Sequence, residues 1–264
     1  MNKSFLKPLC ALTLSAMLIA CGSDKKETAS APAAKTDAKT EVAKAASGPA
    51  TGTSSVTGTI KFEGDIPKLG AVNMDADPVC KSKHSGAVAS EVLVLGEGNL
   101  MANIMVSIKS GLPSAEYDTP SEAAVLDQKG CVYVPHILGV MAGQEVKILN
   151  SDGTLHNIHT QSKENKAFNV AMPAARTEMT KKFKKVEDSF KVKCDVHPWM
   201  GGWIRVFEHP FFDVTEKDGQ FSIKNLPAGT YEIEAWHEKL GSQTASVTVG
   251  DGEAKAVDFT FKKS

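Results

Sequence analysis

Cys194-Asp195-Val196-His197-Pro198-Trp199-Met200 places a thiol, an imidazole and a thioether within one short segment, and His156-Asn157 stands upstream of it. One thiolate, two imidazoles and one thioether make a soft donor set, suited to a copper ion that cycles between two oxidation states. Zinc would favour a second thiolate, a carboxylate or a third imidazole over a thioether. The spacing is physically sensible. Phe190, Val192 and Cys194 alternate as one face of a strand that Cys194 closes. A tight loop stiffened by Pro198 then turns His197 and Met200 back around one point. The plain alternative is a buried thiol at Cys194, behaving as a small hydrophobe, with histidines that cap loops. That alternative leaves Met200 and Pro198 without a reason.

The elements that must hold these residues are strands. Helical periodicity is scarce and alternation is common, so the chain reads as all-β. Val56, Gly58, Ile60 and Phe62 alternate with polar partners, giving one apolar and one polar face. Val92–Leu95 and Ile104–Ile108 are further strand candidates, and residues 73–86 are irregular and hold Cys80 and His84. Near the C-terminus, Asp218-Gly219 is a hairpin signal. Phe221 and Ile223 share a face, Pro227 and Gly229 shape a second turn, and Tyr231, Ile233 and Ala235 return on that face. Val247-x-Val249 and Val257-x-Phe259-x-Phe261 supply two closing strands.

The C-x2-H-P-x-M loop resembles the copper-binding loop of the cupredoxins, closest to the short amicyanin type. The run Pro135–Asn150, with Gly143-x-x-Val146-x-Ile148-x-Asn150 ahead of His156-Asn157, resembles the strand pair that precedes the first histidine ligand in that family. The likeness covers roughly Cys131 to Phe207. It implies a Greek-key sandwich with His156, Cys194 and His197 as equatorial copper ligands and Met200 as the axial one. It also implies one-electron transfer, with Trp199 and Trp203 restricting water around the loop and an exposed edge of His197 as the electron portal. The stretch Val214–Ala235 resembles the transthyretin-like sandwich of carboxypeptidase regulatory domains, a likeness that says little about activity. That fold normally has two strands before its Asp-x-Gly-x-Phe-like turn, and no convincing pair lies between Phe207 and Val214. Either residues 56–110 supply them and the copper module is an insertion, or 56–110 pack onto the copper module in a serial arrangement.

The first twenty residues read as targeting rather than structure. Lys3 and Lys7 precede a short apolar stretch, and Leu18-Ile19-Ala20-Cys21 resembles a bacterial lipoprotein signal with Cys21 as the lipidated residue. The apolar run is short for a bilayer span. Gly22 after the cysteine resembles lipoproteins sent to the outer membrane, so the expected location is the cell envelope, lipid-anchored and facing the periplasm. Residues 21–55 form an Ala-, Lys-, Thr- and Ser-rich tether without an aromatic residue. A flexible coil of that length reaches roughly 30–35 Å. The expected organisation is then signal 1–20, tether 21–55, β segment 56–112, copper domain 113–208 and transthyretin-like sandwich 209–264. The formal charge of −1 is near neutral, which argues against nucleic acid as the main partner.

The remaining candidates carry weaker chemistry. His159 competes with His156 as ligand, but the position before Asn157 favours His156, and on one strand the two would face opposite ways. His136 reads as a surface residue or one just behind the ligands. With Cys21 lipidated and Cys194 on copper, Cys80 and Cys131 remain, an even pair fit for a disulfide in an oxidising compartment. Two free thiols, or a second metal site using Cys80, His84, Cys131 and His136, are the alternatives. Lys163, Lys166, Arg176, Lys181, Lys182, Lys184, Lys185, Lys191 and Lys193 form either a solvated face or a surface that steers an acidic redox partner. His209, Trp236 and His237 read as structural, and the methionines are scattered. No nucleophile–base pair, phosphate-cradling glycine loop or paired carboxylates stand out, so no enzyme activity is expected. Copper storage, delivery or sensing is the second reading. Adhesion or sugar binding by a lipoprotein with a structural metal is the third.

Overall fold

The structure is a computed structural model that describes residues 51–263. The expected signal, the lipidated Cys21 and the tether up to residue 50 lie outside the described residues. The described part is all-β, with two sandwiches built on separate hydrophobic cores.

Strands β1 (Ser54–Glu63) and β2 (Met105–Ser110) come first in the chain. β1 begins two residues earlier than the apolar alternation starts, because Ser54 is fully buried and its hydroxyl donates to Gly250 O. Next come β3 (Ala124–Lys129), β4 (Val132–Val134), β5 (Ile137–Met141), β6 (Glu145–Asn150), β7 (His156–Thr160) and β8 (Asn169–Met172). β9 (Glu178–Lys182), β10 (Glu187–Lys193) and β11 (Gly201–Phe207) complete that group. The chain ends with β12 (Phe212–Val214), β13 (Gln220–Leu226), β14 (Gly229–His237), β15 (Gly241–Val249), β16 (Ala254–Ala256) and β17 (Phe259–Lys262).

The first sandwich faces the sheet β5-β11-β10-β7-β8 against β4-β3-β6-β9. All nine strands fall between Ala124 and Phe207, and their alternating apolar residues (Leu126, Val146, Ile148, Ile158, Val192, Ile204) fill one core. The second sandwich pairs β1 with β13, β16 and β17 in one sheet and orders β12-β2-β14-β15 in the other. Val56, Ile60, Val106, Phe221 and Tyr231 share its core. β1 and β2 therefore belong to the C-terminal sandwich, and the nine-stranded module sits in the chain between β2 and β12. The connection 111–123 touches both sandwiches: Tyr117 lies edge-on to Phe211 at 5.5 Å in the second core, while Thr119 donates to Ala142 O and Glu122 O accepts from Gln144 in the first.

Two local expectations are corrected. Val92–Leu95 is not a strand; Leu95 makes an isolated bridge to Met101, and Val94 O accepts from Ala102 N–H. Asp218-Gly219 does form a tight turn, with Gly219 at φ 65° and its N–H on Glu216 O, but not a hairpin. The strands it joins pair elsewhere, β12 with β2 and β13 with β1, so the turn carries the chain from one sheet to the other.

The connection between β1 and β2 matters most for the site. It leaves the second sandwich and lies over the first, contributing Met74 and Cys80 to that core, with Val72 and Val88 bridged across its neck. Its α-helical turn, α1 (Pro78–Ser82), starts at Asp77, whose Oδ1 accepts from the N–H groups of Val79 and Cys80. An aspartate N-cap followed by proline at the first helical position is a favourable start signal.

Candidate metal centre

The site lies at one end of the nine-stranded sandwich, where three elements meet. Cys194 follows β10, and the loop 194–200 is closed by two backbone bonds: Cys194 N–H to Met200 O at 3.2 Å and Met200 N–H to His197 O at 2.9 Å. Lys193 and Gly201, on either side, are register partners, so the loop is a tight excursion at the end of a ladder. His156 opens β7. The turn leading to it is fixed by Asn150, whose amide donates to Thr154 O and Met172 O while its Oδ1 accepts from Asp152 N–H. Asn157 ties the two elements together. Its Oδ1 accepts from the N–H groups of Asp195 and Val196, and its own N–H points at Cys194 Sγ at 3.5 Å.

The donor atoms converge. His156, Cys194 and His197 each place a ligand atom within 4.8 Å of the others, and all three residues are buried. The imidazoles face each other through Nδ1, 2.9 Å apart, and His197 Nδ1 lies 3.9 Å from Cys194 Sγ. Met200 is buried at the loop's end, in the same core. The structure thus brings His156, Cys194 and His197 to one point, with Met200 buried at the end of the same loop.

Behind the ligands stand two carboxylates that sequence reasoning missed. His156 Nε2 lies 2.9 Å from Asp152 Oδ2, and His197 Nε2 lies 2.9 Å from Asp77 Oδ2. A carboxylate on Nε2 assigns the proton to that nitrogen and leaves the Nδ1 lone pair for an ion, raising its basicity. Asp152 also accepts from the N–H groups of Gly130 and Cys131, both at 2.7 Å. Burial alone would raise its carboxyl, but the His156 and backbone hydrogen bonds outweigh it and hold the pKa at about 2. Burial likewise opposes charge on His156, yet Asp152 and Cys194 raise it to about 9. The Cys194 thiol is pulled below its ordinary value; burial works against the thiolate, but His156 and the loop N–H groups win. The fit to a soft ion is therefore good: a buried, acidified thiol and two imidazoles, each with one nitrogen held from behind.

Several expectations change. The edge of His197 is not exposed; the residue is 2 % accessible, covered by α1 and its cap Asp77. Trp199 does pack on the site, its ring 5.0 Å from His197 and its Nε1–H on Cys131 O. Trp203 does not; it stands between the sandwiches, 5.4 Å from Trp236, with its Nε1–H on Glu238. Cys80 and Cys131 form a disulfide, so the four-residue site with His84 and His136 is not assembled. His84 Nε2 instead meets Gly130 O, and His136 is buried against Glu238 at 2.7 Å. His159 faces away, paired with Asp195. His209 stacks among Phe207 and Phe211, and His237 Nδ1 accepts from Lys239 and Leu240 N–H groups, both framework roles.

Cys131 also shows why the disulfide falls here. Gly130 and Cys131, at φ 67° and 55°, are the two central residues of the β3–β4 hairpin. Positive φ at both positions matches the right-handed twist of the flanking strands. The hairpin tip presents the Cys131 sulfur to α1.

Comparison with known proteins agrees with this architecture in part. Residues 210–262 match the carboxypeptidase regulatory-like domain family. No curated protein matches the chain. Among solved structures, the chain is similar to a purple cupredoxin from Nitrosopumilus maritimus, at 24% identity over 32% of this chain and 99% of that one, with a TM-score of 0.27. It is also similar to a mutant of amicyanin in the Cu(I) form, at 23% identity over 39% of this chain and 98% of that one, TM-score 0.30. A copper-containing nitrite reductase from Thermus scotoductus SA-01 matches at 21% identity over 36% of this chain, TM-score 0.31. The chain spans about a quarter of that reductase, 24% of its length. The strand pairing describes two β-sandwiches, the second of which contains the segment that matches the carboxypeptidase regulatory-like family.

Proposed function

We propose that this protein binds one copper ion at His156, Cys194, His197 and Met200 and serves as a one-electron carrier of the cell envelope. A lipid on Cys21 would hold it to the membrane, facing the periplasm. The observation that carries the reading is the convergence of two Nδ1 atoms and one thiol sulfur on three buried side chains. A bound copper ion would supply a centre that gains and loses one electron with a potential tuned by its axial ligand and by the surroundings of the sulfur.

The chain's own residues serve that task by staying still. Asp152 and Asp77 hold both imidazoles from behind, Asn157 pins the loop, and Trp199 closes one side. Ligands fixed by packing and by a second set of hydrogen bonds change position little when charge changes, which favours fast electron exchange. With His197 covered, the half-exposed Trp199 ring is the nearest surface aromatic to a ligand imidazole. The lysines at 166, 181, 182, 184 and 185 surround a surface groove with Phe168 and Phe183, a positive face that suits an acidic redox partner.

The test is to add Cu(II) to residues 22–264. A visible absorption band lost in Cys194→Ser and shifted in Met200→Leu supports the site, and a colourless adduct rejects it. One observation favours copper storage or delivery instead: the cover over His197 removes the exposed imidazole edge that an electron partner would meet. Exchange with a chelator separates the two. Retained copper with rapid reversible reduction supports the carrier of electrons; rapid loss supports the carrier of copper.

A further inference from the structure

We infer that Cys80 and Cys131, once reduced, form a second soft-metal site directly behind the copper ligands. The disulfide would then set how many thiophilic ions the chain holds.

The disulfide is not an isolated staple. Cys80 Sγ lies 3.6 Å from His197 Nε2, and Asp77 Oδ2 lies 2.9 Å from the same nitrogen. Asp77, Cys80 and His197 have ligand atoms within 4.8 Å of one another, and so do Cys131, Asp152 and His156. Each sulfur therefore already stands among a carboxylate and an imidazole nitrogen, on the side of the histidines opposite Cys194. A purely mechanical link needs no such neighbours.

The sulfur positions are also held independently of the S–S bond. Asp77 caps α1 through the Cys80 N–H, and Asp152 takes the Cys131 N–H at the hairpin tip. Cys80 and Cys131 are fully buried. The dithiol would thus remain side by side inside the fold rather than swing apart.

The reaction is thiol–disulfide exchange. A dithiol reductant attacks one sulfur, passes through a mixed disulfide and leaves oxidised, while Cys80 and Cys131 gain its two electrons and two protons. Both thiol protons depart when an ion binds, since the thiolate is the ligand. The ion would be held by two thiolates and the Asp77 carboxylate, with His197 Nε2 alongside. That set takes Cu(I), and equally Cd(II) as a probe. The site itself does not require that copper be bound at Cys194.

The experiment titrates the full chain in detergent with Cd(II), before reduction and after dithiothreitol treatment with anaerobic removal of the reductant. The reduced chain is expected to bind one more equivalent than the oxidised chain, with added ultraviolet thiolate-to-metal absorption. That increment should persist in Cys194→Ser and vanish in the Cys80→Ser/Cys131→Ser double variant. Equal binding in both redox states overturns the inference, as does an increment that survives in the double variant. An increment seen only when the reduced chain has lost its native tryptophan fluorescence also overturns it. Should the oxidised chain bind nothing while the reduced chain binds one ion, the proposed copper function fails and this site stands.

Discussion

Asp152→Asn is the substitution that tests most sharply how the centre is built. The side chain is 2 % accessible and meets four groups: His156 Nε2, the N–H groups of Gly130 and Cys131, and Lys83 Nζ at 3.2 Å. An asparagine of the same shape has one acceptor oxygen and one NH2. Its NH2 must take the place either of Oδ1, which accepts from Gly130 N–H and Lys83, or of Oδ2, which accepts from Cys131 N–H and His156, and either way a backbone donor is left without a partner. A buried unsatisfied donor costs about 1–3 kcal/mol, so the metal-free fold should lose stability in that range. The imidazole then loses the carboxylate that fixes its orientation and tautomer, a change that typically weakens metal binding about 10–100-fold, or about 1.4–2.7 kcal/mol. Urea unfolding of the metal-free protein reads the first effect, and competition for Cu(II) with a chelator of known affinity reads the second. Asp188→Asn is the control, because the Asp188 side chain is 94 % exposed and pairs with Arg205, away from the donor atoms. The reasoning is refuted if folded Asp152→Asn holds copper as tightly as the parent chain, or if Asp188→Asn weakens it equally.

Other outcomes follow from the same geometry. The Cys80→Ser/Cys131→Ser variant closes no loop across the 51-residue separation and should lose about 2–4 kcal/mol of stability by urea unfolding. Asp77→Ala should weaken copper binding by about tenfold or more through His197, with a smaller stability loss than Asp152→Asn because Asp77 is partly exposed, a comparison made in the same chelator and urea titrations. His136 is held between Glu238 and Glu91; burial opposes its charge, but the two carboxylates raise its pKa to about 9. Because the folded value exceeds the unfolded one of about 6.5, its contribution of at most about 3 kcal/mol is present below pH 6.5 and fades as pH rises towards 9. His136→Gln should flatten that decline in a stability–pH profile, and an unchanged slope would count against the triad. Trp199→Leu should slow electron exchange with an acidic redox protein while leaving copper affinity within about threefold of the parent, since the ring touches His197 without being a ligand.

Much of the fold was legible because alternation is a local property. The buried faces of β1, β13, β14 and β17 are the faces that Val56–Phe62, Phe221–Ile223, Tyr231–Ala235 and Phe259–Phe261 spell out. What alternation could not say is which strand pairs with which. Asp218-Gly219 has turn chemistry whether the flanking strands pair with each other or with β2 and β1, and only the packing of two cores decided for the latter. Val92–Leu95 has strand-like composition, but the segment makes one isolated bridge, Leu95 to Met101, instead of a ladder.

The sequence alone determined the donor types at the candidate metal centre and their approximate grouping, because three of the four lie in one short loop and the fourth precedes an asparagine that binds that loop. Tertiary structure decided what stands behind and over them. Asp152 reaches His156 from four residues away through a turn, and Asp77 reaches His197 across 120 residues from the connection between β1 and β2. The Asp77-Pro78 start of α1 was readable as a cap, but the target of its second oxygen was not. Aspartates are common in loops and carry no spacing rule. Their role, like the burial of His197 and the place of the disulfide, follows from where distant segments must pack to cover the end of a β-sandwich.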